Sequence, residues 1–350
     1  MNDLLRQAQE GTPVIKDEQA IFVWLGPKAP QLIGDWTDWD GGPPITLTQA
    51  APELWTHTLT LPQDTYLEYA FWQNNERVTD PFNPRTVPNG MGDTNHFFYM
   101  PGGAPTRLTR RKRNVPRGKV TRHTVEDGFL LVGGERTVYL YQPESTEPCP
   151  LLVVLDGQDY RRMAKLIPIV DTLIAEKRIQ PIALAMIHHG RQARGIEYAC
   201  SEAHLAVLTQ KVLPLAQQEL ALVDIETNPG AYGIMGASMG GLQALYVGLR
   251  ACHIFGHVLC QSGAFTLGDH DTVIWDLVQH KPTQPIKLWM DAGRYELLLK
   301  CNQRMHKLLL EKGYDIAYRE YNGGHNYTSW RNDLWRGLEH LFGPTDTTES

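Results

Sequence analysis

The first third of the chain alternates apolar and polar residues in short runs. Between residues 20 and 99, runs such as Ile21–Leu25 and Tyr66–Trp72 are separated by Gly, Pro, Asn and Asp, the residues typical of turns. A period of two at this spacing indicates antiparallel strands that bury one face, and no helix of useful length fits among them. The pattern therefore predicts a small β-sandwich.

The pattern changes beyond residue 120. Near-continuous apolar runs such as Leu151–Leu155 and Ile182–Ile187 alternate with stretches of helical periodicity, for example residues 161–177 and 240–250. Strands without alternation are buried on both faces, which is typical of a mostly parallel sheet covered by helices. We therefore predict an α/β domain in the rest of the chain.

A change in composition separates the two regions. Gly102-Gly103-Ala104-Pro105 is followed by a basic run from Arg107 to Arg122, and such Gly/Pro-rich stretches mark domain boundaries. This predicts a β-sandwich over residues 1–103, a solvated linker over residues 104–120 and an α/β domain over residues 121–350. The alternative for the basic run is a patch that binds a polyanion or a membrane surface.

Charge and cysteine content exclude several classes of protein. The net charge of -6 and the isoelectric point near 6.1 do not suit nucleic-acid binding, which needs clustered Lys and Arg. The N-terminus has no apolar stretch of signal-peptide length, and no later run could span a bilayer, so we expect a cytoplasmic protein without membrane insertion. The five cysteines lack CxxC spacing, so neither a disulfide framework nor a zinc site is predicted. These patterns predict no particular oligomeric state.

The strongest chemical signal is Gly236-Ala237-Ser238-Met239-Gly240. It lies between an apolar strand that starts at Tyr232 and a predicted helix, which is the setting of a G-x-S-x-G nucleophile elbow in α/β-hydrolases. The turn must be tight enough to lift the serine hydroxyl above the sheet, and glycine on either side avoids steric conflict with the backbone. Ser238 is therefore the predicted nucleophile, with an ordinary structural turn as the alternative.

A serine nucleophile needs a base, and in this fold the base comes last in the chain. His325 follows two glycines after the final predicted strand, in a loop that can turn the imidazole back over the sheet. The third member should be a carboxylate after the preceding strand, where it fixes the histidine tautomer. We favour Glu296 for this role and keep Asp291, at the strand end itself, as the alternative.

Acyl transfer also needs two N–H donors for the tetrahedral oxyanion. The backbone N–H of Met239 is one candidate. The second is the N–H of Gln158, which follows the apolar strand Leu151–Leu155 after a turn that Gly157 permits. An ordinary strand-to-helix turn is the alternative there. Because the protein supplies the nucleophile, no metal or organic cofactor is required.

These motifs together resemble the enterochelin esterase family, among the α/β-hydrolases related to esterase D. The N-terminal segments Ile33–Trp39 and Asp80–Pro84 are similar to signatures of early-set immunoglobulin-like sandwiches in glycogen-binding modules. The matching motifs of the α/β region follow one another in family order: residues 150–158, 236–246, 261–265, 291–296 and 323–327.

The resemblance implies hydrolysis of the ester bonds in a cyclic tri-catecholate siderophore or its ferric complex, with the iron belonging to the substrate. Arg191, Arg194, Trp275 and Trp330 would then be candidates for contacts to anionic, aromatic catecholates, although each also suits a surface charge or a core aromatic residue. One alternative is a feruloyl or acetyl esterase whose N-terminal module binds carbohydrate. Another is a binding protein that keeps the fold without catalysis.

Overall fold

A computed structural model describes residues 2–74, 76–90 and 92–344 of the chain. The chain forms two compact units. The first contains the residues up to Pro105 together with Gly293–Leu297 and Glu320–Ser329. The second contains Thr106–Ala292, Leu298–Arg319 and the residues from Trp330 onward. Two short segments from late in the sequence therefore belong to the same unit as the N-terminal third.

The N-terminal third forms a short helix followed by two antiparallel sheets. Its elements are α1 (Asn2–Glu10), β1 (Val14–Lys16), β2 (Gln19–Leu25), β3 (Gln31–Gly34), β4 (Ile45–Thr46), β5 (Thr48–Ala51), β6 (Leu54–Thr60), β7 (Tyr66–Gln73), β8 (Glu76–Val78), β9 (Thr86–Pro88) and β10 (Thr94–Tyr99). One sheet has the order β1-β2-β6-β5, and the other has the order β4-β3-β7-β10-β9 with β8 paired to β7. Two 3₁₀ turns, Asp35–Thr37 and Trp39–Gly41, follow β3.

The two N-terminal sheets share one apolar core. Phe22 of β2 is fully buried against residues of the other sheet, with ring centroids 5.0 Å from Tyr69 and 5.7 Å from Phe98. Both contacts are edge-to-face, the arrangement that aromatic quadrupoles favour. The predicted antiparallel strands are therefore present, whereas helix α1 lies before the region in which the alternating pattern predicts strands.

The remaining elements build the α/β region. They are β11 (Lys119–Glu126), β12 (Glu135–Gln142), β13 (Leu151–Val154), α2 (Gly157–Arg162), α3 (Leu166–Ala175), β14 (Ala183–Ile187), α4 (Arg194–Glu197), α5 (Glu202–Val207), α6 (Leu213–Glu219), β15 (Tyr232–Ala237), α7 (Met239–Arg250), β16 (Phe255–Gln261), β17 (Thr266–Leu267), β18 (His270–Asp271), α8 (Ile274–His280), β19 (Lys287–Tyr295), α9 (Leu299–Glu311), β20 (Asp315–Gly324) and α10 (Tyr327–Phe342).

The large sheet has the strand order β11-β12-β14-β13-β15-β16-β19-β20. The pairs from β14 through β13, β15 and β16 to β19 are parallel, and β11 and β12 add an antiparallel edge. Every residue of β13, β14 and β15 is buried, as expected for apolar strands covered on both faces. The predicted mostly parallel sheet of an α/β domain is thus confirmed.

Some local boundaries differ from the prediction. The helix expected over residues 161–177 is divided into α2 and α3, because Lys165 between them adopts the left-handed conformation with φ 55°. The stretch predicted as linker contains a 3₁₀ turn, Arg107–Thr109, in which Leu108 is buried. Among the helices that the structure describes, none has both the length and the apolar character needed to cross a membrane.

Candidate active site

Ser238 occupies a strained turn between a strand and a helix. Strand β15 ends at Ala237, helix α7 begins at Met239, and Ser238 between them has φ 59° and ψ -124°. A non-glycine residue with this backbone is costly and is held only where its surroundings require it. The Ser238 N–H donates to the Gln261 carbonyl at 2.9 Å, and the Ser238 carbonyl accepts from the Ala264 N–H at 3.0 Å. The turn is therefore held on both sides while the residue stays half-buried.

The glycines of the motif are required by close backbone contacts. A Cβ atom on Gly236 would lie 2.5 Å from the backbone of Gly240, which cannot move without disrupting the start of α7. A Cβ on Gly240 would lie 3.1 Å from a carboxylate oxygen of Asp156, and one on Gly241 would lie 3.1 Å from the Gly263 Cα. The sequence motif predicts that side chains at these positions would collide with neighbouring atoms, and the structure identifies those atoms.

The two candidate oxyanion donors lie in the first turns of helices. Met239 is the first residue of α7, and Gln158 is the second residue of α2. First-turn N–H groups have no acceptor within their own helix, so they are available to a ligand. The turn before Gln158 differs from expectation: Asp156 carries the left-handed conformation with φ 52°. Gly157 is needed instead because a Cβ there would overlap the Met186 backbone in β14.

Arg194 is bound to the protein itself. Its guanidinium donates to both oxygens of Asp156, at 2.8 and 2.7 Å, and to the carbonyl of Ala237 at 3.3 Å. The Asp156 side chain is 1% exposed, and its own N–H donates to the Tyr198 hydroxyl at 3.1 Å. Because Ala237 directly precedes Ser238, this ion pair supports the nucleophile turn. The sequence reasoning missed Asp156, although its position at the end of a buried strand was a signal.

The aromatic candidates for substrate contact are also engaged within the second unit. Trp330 is 5% exposed, and its indole N–H donates to the Ser262 hydroxyl at 2.9 Å. The Trp275 indole donates to the Phe265 carbonyl at 2.8 Å. Arg191, in contrast, lies exposed at the surface. Trp330 is buried and Trp275 is half-buried, and because both indole N–H groups are hydrogen-bonded within the protein, a packing role is favoured over direct contact with a ligand.

The two acid candidates lie in different environments. Asp291 is fully buried in β19, where one carboxylate oxygen accepts from Gln261 Nε2 at 3.2 Å and from Trp289 Nε1 at 2.9 Å. Glu296 lies just beyond the end of β19, with its side chain fully buried, and its Oε2 is 3.5 Å from His325 Nδ1. His325 follows the end of β20, and its side chain is 32% exposed. This geometry favours Glu296 as the partner of the imidazole.

A carboxylate from the N-terminal third lies against the histidine loop. Asp35, 2% exposed, accepts from the Trp39 indole at 3.1 Å, the Glu68 N–H at 2.8 Å and Asn326 Nδ2 at 3.2 Å. Burial raises the pKa of Asp35 to about 7, although these three donors and the nearby His325 favour the ionised form. Sequence reasoning missed this residue. Its signal was the segment Ile33–Trp39, which from sequence alone resembles only a signature of the sandwich domain.

A second carboxylate from the same turn also interacts with the histidine. Burial raises the pKa of Asp38, whose charge interacts with His325 and Glu296. Asp38 has the left-handed conformation with φ 55°. Asp35, Asp38 and Glu296 are thus three carboxyl groups of the first unit that interact with His325. Among the residues that the structure describes, no group of three or more His, Cys, Asp or Glu side chains is arranged to hold a metal ion.

The mostly parallel sheet and the strained serine turn between β15 and α7 define an α/β esterase fold. Residues 131–341 match the model of the putative esterase family, and the chain belongs to that family.

Similar proteins of assigned name support the resemblance to the enterochelin esterase family. The iron(III) enterobactin esterase of Dickeya dadantii is 30% identical over 232 residues, which are 61% of this chain and 53% of that protein. The iron(III) enterobactin esterase of Escherichia coli K12 is 27% identical over 277 residues, which are 77% of this chain and 68% of that protein. The chain thus spans about half the length of the first relative and about two thirds of the second.

A solved structure shows the same fold. The enterobactin esterase of Shigella flexneri, crystallised in the presence of enterobactin, superimposes with a TM-score of 0.75 at 21% identity. The superposition covers 93% of this chain and 94% of that structure. The resemblance to enterochelin esterases inferred from the motifs is confirmed by these relatives.

Proposed function

We propose that the protein is a serine carboxylic-ester hydrolase with Ser238 as its nucleophile and His325 as its general base. The observation that carries this proposal is the strained conformation of Ser238 between β15 and α7, held by backbone hydrogen bonds to Gln261 and Ala264. Backbone strain of this kind clusters at the functional sites of proteins. Membership of the putative esterase family supports the same conclusion.

The proposed reaction is a two-step acyl transfer. His325 Nε2 takes the proton of the Ser238 hydroxyl as its oxygen attacks the ester carbonyl, and Glu296 at Nδ1 stabilises the imidazolium that forms. The N–H groups of Met239 and Gln158 hold the oxyanion. The alcohol leaves with the proton from His325. Water, deprotonated by His325, then attacks the acyl-enzyme and releases the acid.

The proposed substrate is a catecholate siderophore or its ferric complex, whose ester bonds are cleaved to release iron. The support is that the Dickeya and Escherichia relatives are named iron(III) enterobactin esterases. The proposal includes a cytoplasmic location and an early-set immunoglobulin-like architecture for the N-terminal third, whose two antiparallel sheets with a shared core suit that architecture. Arg194 and Trp330 are assigned to support of the site, because their polar groups already bind Asp156 and Ser262.

Turnover by the purified protein tests the substrate. A ferric tri-catecholate siderophore is compared with feruloyl, acetyl and short p-nitrophenyl esters by chromatography, and Ser238→Ala is the blank. We expect serine-dependent release of linear catecholate fragments, much faster than hydrolysis of the simple esters. Activity confined to the simple or feruloyl esters would contradict the siderophore assignment and leave the serine esterase assignment intact.

A further inference from the structure

We propose that Asp35 is a positioning residue for His325, fixing the turn of residues 323–326 that carries the imidazole. The inference rests on the proposed role of His325 as the general base. It extends the catalytic machinery to the N-terminal third of the sequence. Asp35 and this turn belong to the same compact unit although they are far apart in the chain.

The Asp35 carboxylate contacts both chain neighbours of the histidine. Gly324, directly before His325, packs so closely on Asp35 that a Cβ atom there would overlap the carboxyl group. Asn326, directly after His325, donates its Nδ2 to Asp35 Oδ2 at 3.2 Å. The backbone on either side of the imidazole is therefore set by the same buried group.

The orientation of Asn326 is determined by its second hydrogen bond. Its Oδ1 accepts from the Ser329 N–H at 2.9 Å, so its amide nitrogen faces Asp35. The Asn326 N–H donates to the Gly324 carbonyl at 3.0 Å, which closes the turn around His325. Asp35 thus ties this turn, between the end of β20 and the start of α10, to β7 and to the turn after β3.

Asp35 itself is held rigidly. Its Oδ1 accepts from the Trp39 indole, and its Oδ2 accepts from the Glu68 N–H, so the carboxylate is fixed from β7 and from the turn after β3. Burying a carboxylate is costly, as the raised pKa of Asp35 shows, and a residue needed only to fill space here would be apolar. The three donors and the adjacent imidazole together account for a carboxylate at this position.

The test compares Asp35→Asn with Asp80→Asn in the full-length protein. Asp80 is a matched control because it is also 2% exposed, and it accepts from Thr12, Tyr69 and the Phe82 N–H within the N-terminal third. In Asp35→Asn, the side-chain amide keeps one acceptor oxygen and gains an NH2 group. The NH2 group faces either the Trp39 indole N–H or the N–H donors of Glu68 and Asn326, and it cannot accept from them. One side of the anchor is then lost while the volume is kept.

We expect Asp35→Asn to lower kcat on the best ester by about 10- to 100-fold, with KM changed by less than about threefold, because small misplacement of a catalytic group acts on kcat. Hydrogen exchange in the peptide covering residues 320–329 should rise about tenfold. Asn326→Asp removes the same donor from the other side, keeps an acceptor for the Ser329 N–H, and should give the same two results. Asp80→Asn should change neither readout, even if it lowers the melting temperature.

Folded Asp35→Asn with kcat within twofold of the wild type and unchanged exchange over residues 320–329 would overturn the inference. If Asp35→Asn does not fold, Asn326→Asp, which keeps the acceptor for the Ser329 N–H, decides by the same two readouts. If the wild type hydrolyses no ester, the proposed function fails, and hydrogen exchange still decides whether Asp35 anchors the turn. Increased exchange confined to that peptide supports the anchor, and exchange equal to the wild type contradicts it.

Discussion

Replacing Glu296 by glutamine keeps the size of the side chain and removes its charge. In the transition state the imidazolium of His325 lies 3.5 Å from a carboxylate that is fully buried. At that separation, and with an effective dielectric constant of about 20, the attraction is about 4.7 kcal/mol, which corresponds to roughly 3,000-fold in rate. The amide can also donate to Nδ1 and so favour the wrong tautomer. We therefore expect kcat to fall by about 10²- to 10⁴-fold with little change in KM.

The matched comparison is Asp291→Asn, assayed for kcat and KM on the same ester. Gln261 and Trp289 both donate to one oxygen of Asp291, and an asparagine carbonyl can accept both bonds. Its kcat should fall by less than about fivefold. The reasoning is refuted if folded Glu296→Gln keeps more than a tenth of the wild-type kcat, or if Asp291→Asn is the more damaging change.

Three further predictions concern the elbow, Arg194 and Asp35. Gly236→Ala should abolish more than about 99% of turnover by forcing a contact with the Gly240 backbone, whereas Gly128→Ala, at an open position, should not; kinetics and thermal unfolding of both variants check this. Arg194→Ala should lower kcat/KM equally for a short p-nitrophenyl ester and for the siderophore, because Arg194 supports the turn; a loss confined to the siderophore would contradict this. The pKa of Asp35 is about 7 in the folded state and about 4 when unfolded, so the native state binds more protons between these values. The free energy of unfolding should therefore fall from pH 4 to pH 7 in the wild type relative to Asp35→Asn, as urea titrations at pH 5 and pH 8 can measure; a difference independent of pH would contradict the shift.

The nucleophile elbow could be predicted from the local sequence pattern alone. The spacing of Gly236, Ser238 and Gly240 reflects steric conflicts within a few residues, so it is visible in the sequence without any knowledge of distant contacts. The parallel sheet was predictable for a similar reason, because strands such as β13 and β14 are buried on both faces and are therefore apolar throughout.

The choice between Glu296 and Asp291 depended on where a strand ends. The apolar run suggested an end near Met290, but β19 continues to Tyr295. Asp291 is consequently inside the strand and hydrogen-bonded there, whereas Glu296 lies beyond its end. Strand ends that are set by pairing with neighbours rather than by composition are poorly visible in one sequence.

Contacts between residues that are far apart in the chain could not be predicted from local sequence patterns. Asp35 and Asn326 are 291 residues apart, and Arg194 and Asp156 are 38 residues apart. Asp35 and Arg194 would each suit an exposed surface or a contact with a ligand, but both are hydrogen-bonded within the protein. Only tertiary structure determines which of these uses a charged residue has.

Labelling by a fluorophosphonate probe, read by intact mass and peptide mapping, tests the central claim most directly. We expect wild-type protein to take up one label, on Ser238, and His325→Ala to react at least about 100-fold more slowly because the hydroxyl has lost its base. Ser238→Ala should remain unlabelled. Folded wild-type protein that takes up no label, or takes it up at another residue, would contradict the assignment of Ser238 as the nucleophile.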